Sequence, residues 1–229
     1  MHKSILKIGH RGAMGHVAEN TMESIQQALS FGVDGIEIDV HTCASGELMV
    51  FHDFTLDRIT NGSGEIADYT LTDLKRLKIL DVYQIPTLEE VLDVIDGRCI
   101  INIELKGLNT ATNVVKIINK YIRFSNWNYD KFLVSSFQHK ELESVCELDK
   151  NIHLAVLTKA SIEEAISFAK TIGASAIHPN VALVSMDNVK RAQSFGYKIN
   201  VWTANSESVI ARMRYYGVDG IISDYPDRL

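Results

Sequence analysis

The side chains best suited to chemistry fall in four short groups: His10-Arg11, Glu37 with Asp39, His52-Asp53, and Glu104 with Lys106. Side chains two apart on a strand face the same way. On a strand, Glu37 and Asp39 therefore share one face, while Ile36, Ile38 and Val40 take the other. Glu104 and Lys106 are related in the same manner, with Ile103 and Leu105 opposite them. Charges facing an interior are costly unless they are paired or bound to a cation. A structural ion pair, Glu104 with Lys106 for example, is one way to meet that cost. The other is a cation: Glu37, Asp39 and Glu104 would be hard oxygen ligands, which suit Mg2+ or Ca2+ better than Zn2+. Two such pairs beside two histidines favour the cation. Imidazole titrates near neutrality, so His10 and His52 suit a general acid and base. Arg11 offers a planar fork for phosphate or carboxylate oxygens, and Lys106 a point charge. Together these groups describe a site for a phosphate ester.

Such residues need a scaffold that brings them together. Short β-branched runs alternate with segments of helical period along the chain. Strands are expected at 5–9, 35–40, 99–105, 132–134, 153–157, 174–177, 198–202 and 220–222, with 48–51 as an accessory arm. Asn20 is the expected N-cap of a first helix, with Glu23 in the capping-box position, and Thr87 the N-cap of another. Alternating strands and helices imply a parallel sheet covered by helices. Eight such units point to an α/β fold of the (β/α)8 (TIM) barrel type, whose usual size is about 250 residues. The rival, an open doubly wound sheet, lacks a GxGxxG after the first strand. In a barrel the reactive positions lie at the C-terminal strand ends, where the four groups fall. Residues 54–85 break the rhythm, with a turn-rich Thr60-Asn61-Gly62-Ser63-Gly64 and a weak helix at 71–77. A connection of that length is usually functional. Residues 1–229 thus read as a single barrel domain with a small insertion, 54–85, after the second strand.

The 229 residues carry a net charge of −6 and are 46% hydrophobic, which excludes a disordered chain. No run approaches the roughly 20 apolar residues of a membrane span. The acidic balance argues against nucleic-acid and anionic-membrane partners. Met1-His2-Lys3-Ser4 leads into the first strand without the features of a signal peptide. Cys43, Cys99 and Cys146 form no CxxC pair, which suits reduced thiols, and a cytoplasmic location is expected.

The motifs, taken in order, resemble the glycerophosphodiester phosphodiesterase family from His10 to Asp227. They are His10-Arg11-Gly12, Glu19-Asn20-Thr21, Glu37-Ile38-Asp39-Val40, His52-Asp53 and Leu56-Asp57-Arg58. Pro86-Thr87-Leu88-Glu89-Glu90, Glu104-Leu105-Lys106, Ser135-Ser136-Phe137, Val201-Trp202-Thr203 and the run from Gly217 to Asp224 continue the series. The resemblance implies a (β/α)8 barrel with a small insertion and metal-dependent hydrolysis of glycerophosphodiesters to glycerol 3-phosphate and an alcohol. It further implies that Glu37, Asp39 and Glu104 hold a divalent cation (Mg2+ or Ca2+, with Mn2+ a further candidate), and that His10 and His52 serve as general acid and base. Arg11 and Lys106 would bind the phosphate, Glu19 would add a polar group, and Phe137 and Trp202 would wall the glycerol carbons. Ala18 and Ser45 depart from the family pattern in loops only. His178-Pro179-Asn180 and His16 could face the pocket or serve their loops. The alternatives are a lysophospholipase D or phospholipase C-like enzyme on a lipid, and a barrel that binds a phosphorylated ligand without catalysis. The partner expected is a soluble small-molecule diester.

Overall fold

Alternation of side chains along each strand gives the sheet two apolar-and-polar faces. The computed structural model describes residues 4–229; Met1, His2 and Lys3, where the leader reading begins, lie outside the described residues. In β2 (Gly35–Thr42), Ile36, Ile38 and Val40 pack into the main hydrophobic cluster, so Glu37, Asp39 and His41 turn to the other side. β4 (Ile100–Leu105) repeats the pattern, with Ile101, Ile103 and Leu105 outward and Asn102 and Glu104 inward. The two strands run parallel, with Glu37 opposite Asn102 and Asp39 opposite Glu104.

The remaining strands are β1 (Leu6–Gly9), β3 (Leu48–Val50), β5 (Phe132–Ser136), β6 (His153–Thr158), β7 (Ala176–Pro179), β8 (Lys198–Val201) and β9 (Gly220–Ser223). Neighbours follow the order β1-β9-β8-β7-β6-β5-β4-β2-β3, and β1 also pairs with β2. That second pairing closes eight parallel strands into a barrel. Among the strands of the described residues only β3 is antiparallel, hydrogen-bonded to the far end of β2. The helices are α1 (Met22–Ser30), α2 (Leu71–Leu74), α3 (Leu88–Ile95), α4 (Ala111–Phe124), α5 (His139–Leu148), α6 (Ile162–Ile172), α7 (Met186–Ser194) and α8 (Glu207–Tyr216). The fold is the expected TIM barrel with one extra strand. No helix among the described residues is long and apolar enough to cross a membrane.

Helix ends follow local chemistry, with one correction. Thr87 caps α3 through a reciprocal capping box with Glu90. The cap of α1 is Thr21, whose hydroxyl accepts from the Ser24 N–H, and not Asn20. Asn20 sits in the left-handed region (φ 56°) and uses its side chain elsewhere, donating from Nδ2 to Asp39 Oδ2 at 2.9 Å.

Residues 54–85 carry a one-turn 310 segment (Ile66–Asp68) and α2, which ends three residues before the expected helix does. After Leu74 the chain tightens into i→i+3 hydrogen bonds at Arg76 and Leu77. A second apolar cluster lies beneath this segment, joining Leu56, Ile66, Leu74, Ile79 and Ile85 to Cys43, Met49 and Phe51. Cys43 and Cys99 are buried free thiols, and Cys146 Sγ donates to the Ile172 carbonyl.

His178 is fully buried in the barrel and does not line the cleft at its mouth. Asn200 Nδ2 donates to its Nε2 at 3.0 Å, and burial pushes the imidazole down to about 3. The folded pKa lies below the ordinary value, so the unfolded chain binds the proton first as pH falls. The stability this neutral histidine contributes is full above pH 6.5 and is lost as pH falls towards 3. From pH 6.5 to 4.5 the loss amounts to roughly 2–3 kcal/mol. Denaturant titration should show H178Q with a flatter stability profile over that range; an unchanged slope would contradict the assignment.

Candidate active site

A cleft of about 390 Å3 opens at the C-terminal strand ends. His10, Arg11, Glu37, His52, Glu104, Lys106, Phe137 and Trp202 all line it, as does Asn102. Asp39 is 1% exposed and lies beneath that surface. Carboxylate oxygens of Glu37, Asp39 and Glu104 lie within 4.8 Å of one another. The strand register dictates this, since Asp39 stands opposite Glu104 and Glu37 is two residues back on the same face.

Crowding shows in the protonation of the three. Burial, and then the Asp39 and Glu104 charges, push Glu37 well above the usual carboxylate range. Burial and Asp39 likewise raise Glu104 to about 7. Burial also acts against the Asp39 carboxylate, but Arg11, Lys106, His52 and Asn20 outweigh it and hold Asp39 low. Glu37 Oε1 and Asn102 Oδ1 are buried acceptors that meet no donor among the described residues. Three hard oxygen ligands with too little positive charge around them fit a divalent cation.

Backbone geometry at the end of β1 supports this cluster. Arg11 adopts φ 48°, a left-handed conformation that costs about 1 kcal/mol for a residue with a Cβ. In return its N–H donates to Glu37 Oε2 at 2.9 Å. Gly12 follows at φ 85°, and a Cβ there would meet Ser24 Oγ at 2.4 Å. His10-Arg11-Gly12 is therefore a turn in which only the third position demands glycine. The Arg11 guanidinium bonds Glu19 (2.7 Å) and lies 3.3 Å from Asp39 Oδ2.

Each cleft histidine is fixed by a carboxylate. His10 Nδ1 meets Asp224 Oδ1 at 2.6 Å, and His52 Nδ1 meets Asp53 Oδ1 at 2.5 Å. With the proton on Nδ1, the Nε2 of each ring is left free for proton transfer. His10 Nε2 lies 3.9 Å from Glu37 Oε2. Asn205 holds Asp224 in turn, donating from Nδ2 to its second oxygen and accepting from its N–H. Asp53 is paired with Arg58 and, although burial opposes it, is held at about 2 by Arg58 and His52. Burial lowers His52, and the Arg11 charge adds to that. His41, also lowered by burial, donates from Nε2 to the His52 carbonyl at 3.1 Å.

Lys106 Nζ reaches Glu104 at 3.0 Å and Asp39 at 3.7 Å, so the structural ion pair and the carboxylate cluster coexist. Glu19 does not line the cleft; it braces Arg11 and Arg58, tying the barrel to the 54–85 segment. Phe137 and Trp202 meet edge to face at 5.5 Å, with the indole N–H donating to the His178 carbonyl. His16 lies outside the cleft, bonded to Asp227 and packed on Phe31 and Tyr225.

Sequence reasoning missed Asp224, Asn205, Asn20 and His41. Asp224 follows the last strand, and the strand-end rule applied there would have found it. Asn20 reads from the sequence as a cap. His41 stands two residues after Asp39, so the period of two that pairs Glu37 with Asp39 extends to it, whereas Asn205 gives no signal without the contacts.

The sequence pattern of the glycerophosphoryl diester phosphodiesterase family matches residues 10–228. A glycerophosphodiester phosphodiesterase of Bacillus altitudinis is 39% identical, over 96% of this chain and 94% of that protein. A glycerophosphodiester phosphodiesterase of Caldanaerobacter subterraneus is 34% identical, over 98% and 96%. Among solved structures, an Oleispira antarctica phosphodiesterase in complex with the product sn-glycerol-3-phosphate superposes with a TM-score of 0.88. It is 28% identical, and the match covers 96% of this chain and 93% of that one. With the motif order, the closed barrel and the cleft in agreement, the chain belongs to the glycerophosphoryl diester phosphodiesterase family.

Proposed function

We propose that this enzyme hydrolyses soluble glycerophosphodiesters to glycerol 3-phosphate and an alcohol. In this reading His10 and His52 transfer protons while Glu37, Asp39 and Glu104 hold a divalent cation. The observation that carries it is the cleft itself, where two histidines, each anchored through Nδ1, stand beside three converging carboxylates. The product bound to the Oleispira antarctica relative supports the choice of glycerol 3-phosphate. The chain acts as one barrel domain, with residues 54–85 serving as a rim that the Glu19–Arg58–Asp53 contacts lock to the site.

Hydrolysis proceeds in two steps. One imidazole takes the proton of the substrate's glycerol 2-hydroxyl as that oxygen bonds to phosphorus. The bond from phosphorus to the alcohol oxygen breaks, and the other histidine, protonated, supplies the leaving alcohol with its proton. Water then opens the resulting cyclic phosphate, with the two histidines in exchanged roles. Arg11 and Lys106 orient the phosphoryl oxygens, Phe137 and Trp202 shield the carbon chain from water, and Asp224 and Asp53 keep each ring in the useful tautomer. A divalent cation at the carboxylates would neutralise phosphoryl charge and lower the pKa of the attacking hydroxyl.

Three assays of glycerol 3-phosphate release test this. Chelation by EDTA should abolish release and Mg2+, Mn2+ or Ca2+ should restore it; turnover indifferent to chelator contradicts the cation. H10A and H52A should each lower kcat by roughly 100- to 10,000-fold with an unchanged circular dichroism spectrum. Near-parent turnover in either removes that histidine from the proton transfer. D224N should lower kcat by about 100-fold while KM stays within about threefold, because an amide can hold His10 in the wrong tautomer. A rise in KM alone would show that Asp224 serves binding instead. Release of choline together with a lipid phosphate, or of diacylglycerol, in place of glycerol 3-phosphate would favour the lipid-substrate enzymes.

A further inference from the structure

We propose that Lys159 makes the enzyme prefer diesters whose alcohol carries a negative charge and disfavour those whose alcohol is a cation. This deepens the reading above and rests on it. Along β6, Leu154 and Val156 pack outward, so Ala155 and Leu157 face the barrel interior. Lys159 continues the inward series just beyond the strand end, and Leu157 and Lys159 both line the cleft. Its ammonium lies 5.9 Å from the centre of the Phe137 ring, and Lys106 lies 6.0 Å from the same ring.

The two lysines differ in how their charge is met. Lys106 is paired with Glu104 and Asp39. Lys159 has no ion-pair or hydrogen-bond partner among the described residues. Its charge is therefore available to a ligand. With Arg11 and Lys106 on the phosphate as in the reading above, the alcohol arm runs along Phe137, Leu157 and Lys159, while the glycerol carbons keep to Trp202. The glycerol arm is neutral and common to every substrate, so discrimination by this charge acts through the alcohol. An edge-to-face aromatic pair such as Phe137 and Trp202 would otherwise suit a quaternary ammonium. Here two ammonium groups already stand over the Phe137 ring, and a cationic alcohol arriving there meets repulsion.

The test compares kcat/KM per diester cleaved for three diesters, with choline, glycerol or glycerol phosphate as the alcohol, the last releasing two glycerol phosphates per turnover. Parent enzyme, K159M and K159E are measured at low and high salt. The parent should prefer the glycerol phosphate ester to the choline ester. K159M, which keeps the apolar stem, should compress that ratio by about tenfold, and K159E should invert it. High salt should shrink the parent's ratio towards that of K159M. A ratio unchanged within about twofold in both variants, or an equal loss on all three esters, overturns the inference while leaving the hydrolysis intact. Absence of glycerol 3-phosphate release from all three by the parent overturns the functional reading, and the inference with it.

Discussion

Three carboxylates held within 4.8 Å of one another at a barrel mouth are the constraint on which the rest of the site turns. Like charges in a poorly solvated place repel strongly, and the protein answers only in part. Asp39 receives most of the compensation, from Arg11, Lys106 and the Asn20 amide. Glu37 and Glu104 are left raised. That imbalance explains why so many elements converge here: the left-handed Arg11, the left-handed Asn20 before α1, and the Glu37–Asn102 register. A site built only from structural ion pairs would have no reason to bury an unmatched Glu37 oxygen.

Closure of the barrel does the second part of the positioning. β1 lies between β2 and β9, so His10 stands within reach of both Glu37 and Asp224, which are far apart in sequence. His52 is served differently, by the adjacent Asp53 and by Arg58 from the 54–85 segment. One histidine is thus held by the scaffold and the other by the rim. Arg58 also reaches Glu19, which holds Arg11, so the rim and the Arg11 guanidinium in the cleft are mechanically linked.

Much of this was legible in the sequence because it follows from a period of two. Ile36, Ile38 and Val40 against Glu37 and Asp39 fix both the helix-facing and the interior face of β2, and β4 repeats them. Strand ends then locate the cleft. Contacts that depend on closure or on loop conformation were not legible. Asn20 looks like a cap because asparagine is a good one, yet Thr21 beside it takes the cap and frees the amide for Asp39. The resemblance puts Glu19 in the pocket, but its two arginine partners hold it off the cleft lining. His178 sits on the inward face of β7, too deep to reach the cleft, and only burial reveals it.

A single cation site formed by Glu37, Asp39 and Glu104 is open to direct measurement. Equilibrium binding of Mn2+ to the metal-stripped protein, followed by the loss of the free-ion paramagnetic resonance signal, measures it without reference to turnover. A single Mn2+ should bind per chain and be displaced by Mg2+ or Ca2+, with binding weakened at least about 100-fold by E37Q in a protein that remains folded. Parent-like Mn2+ affinity in E37Q, or no stoichiometric binding by the parent, would contradict it.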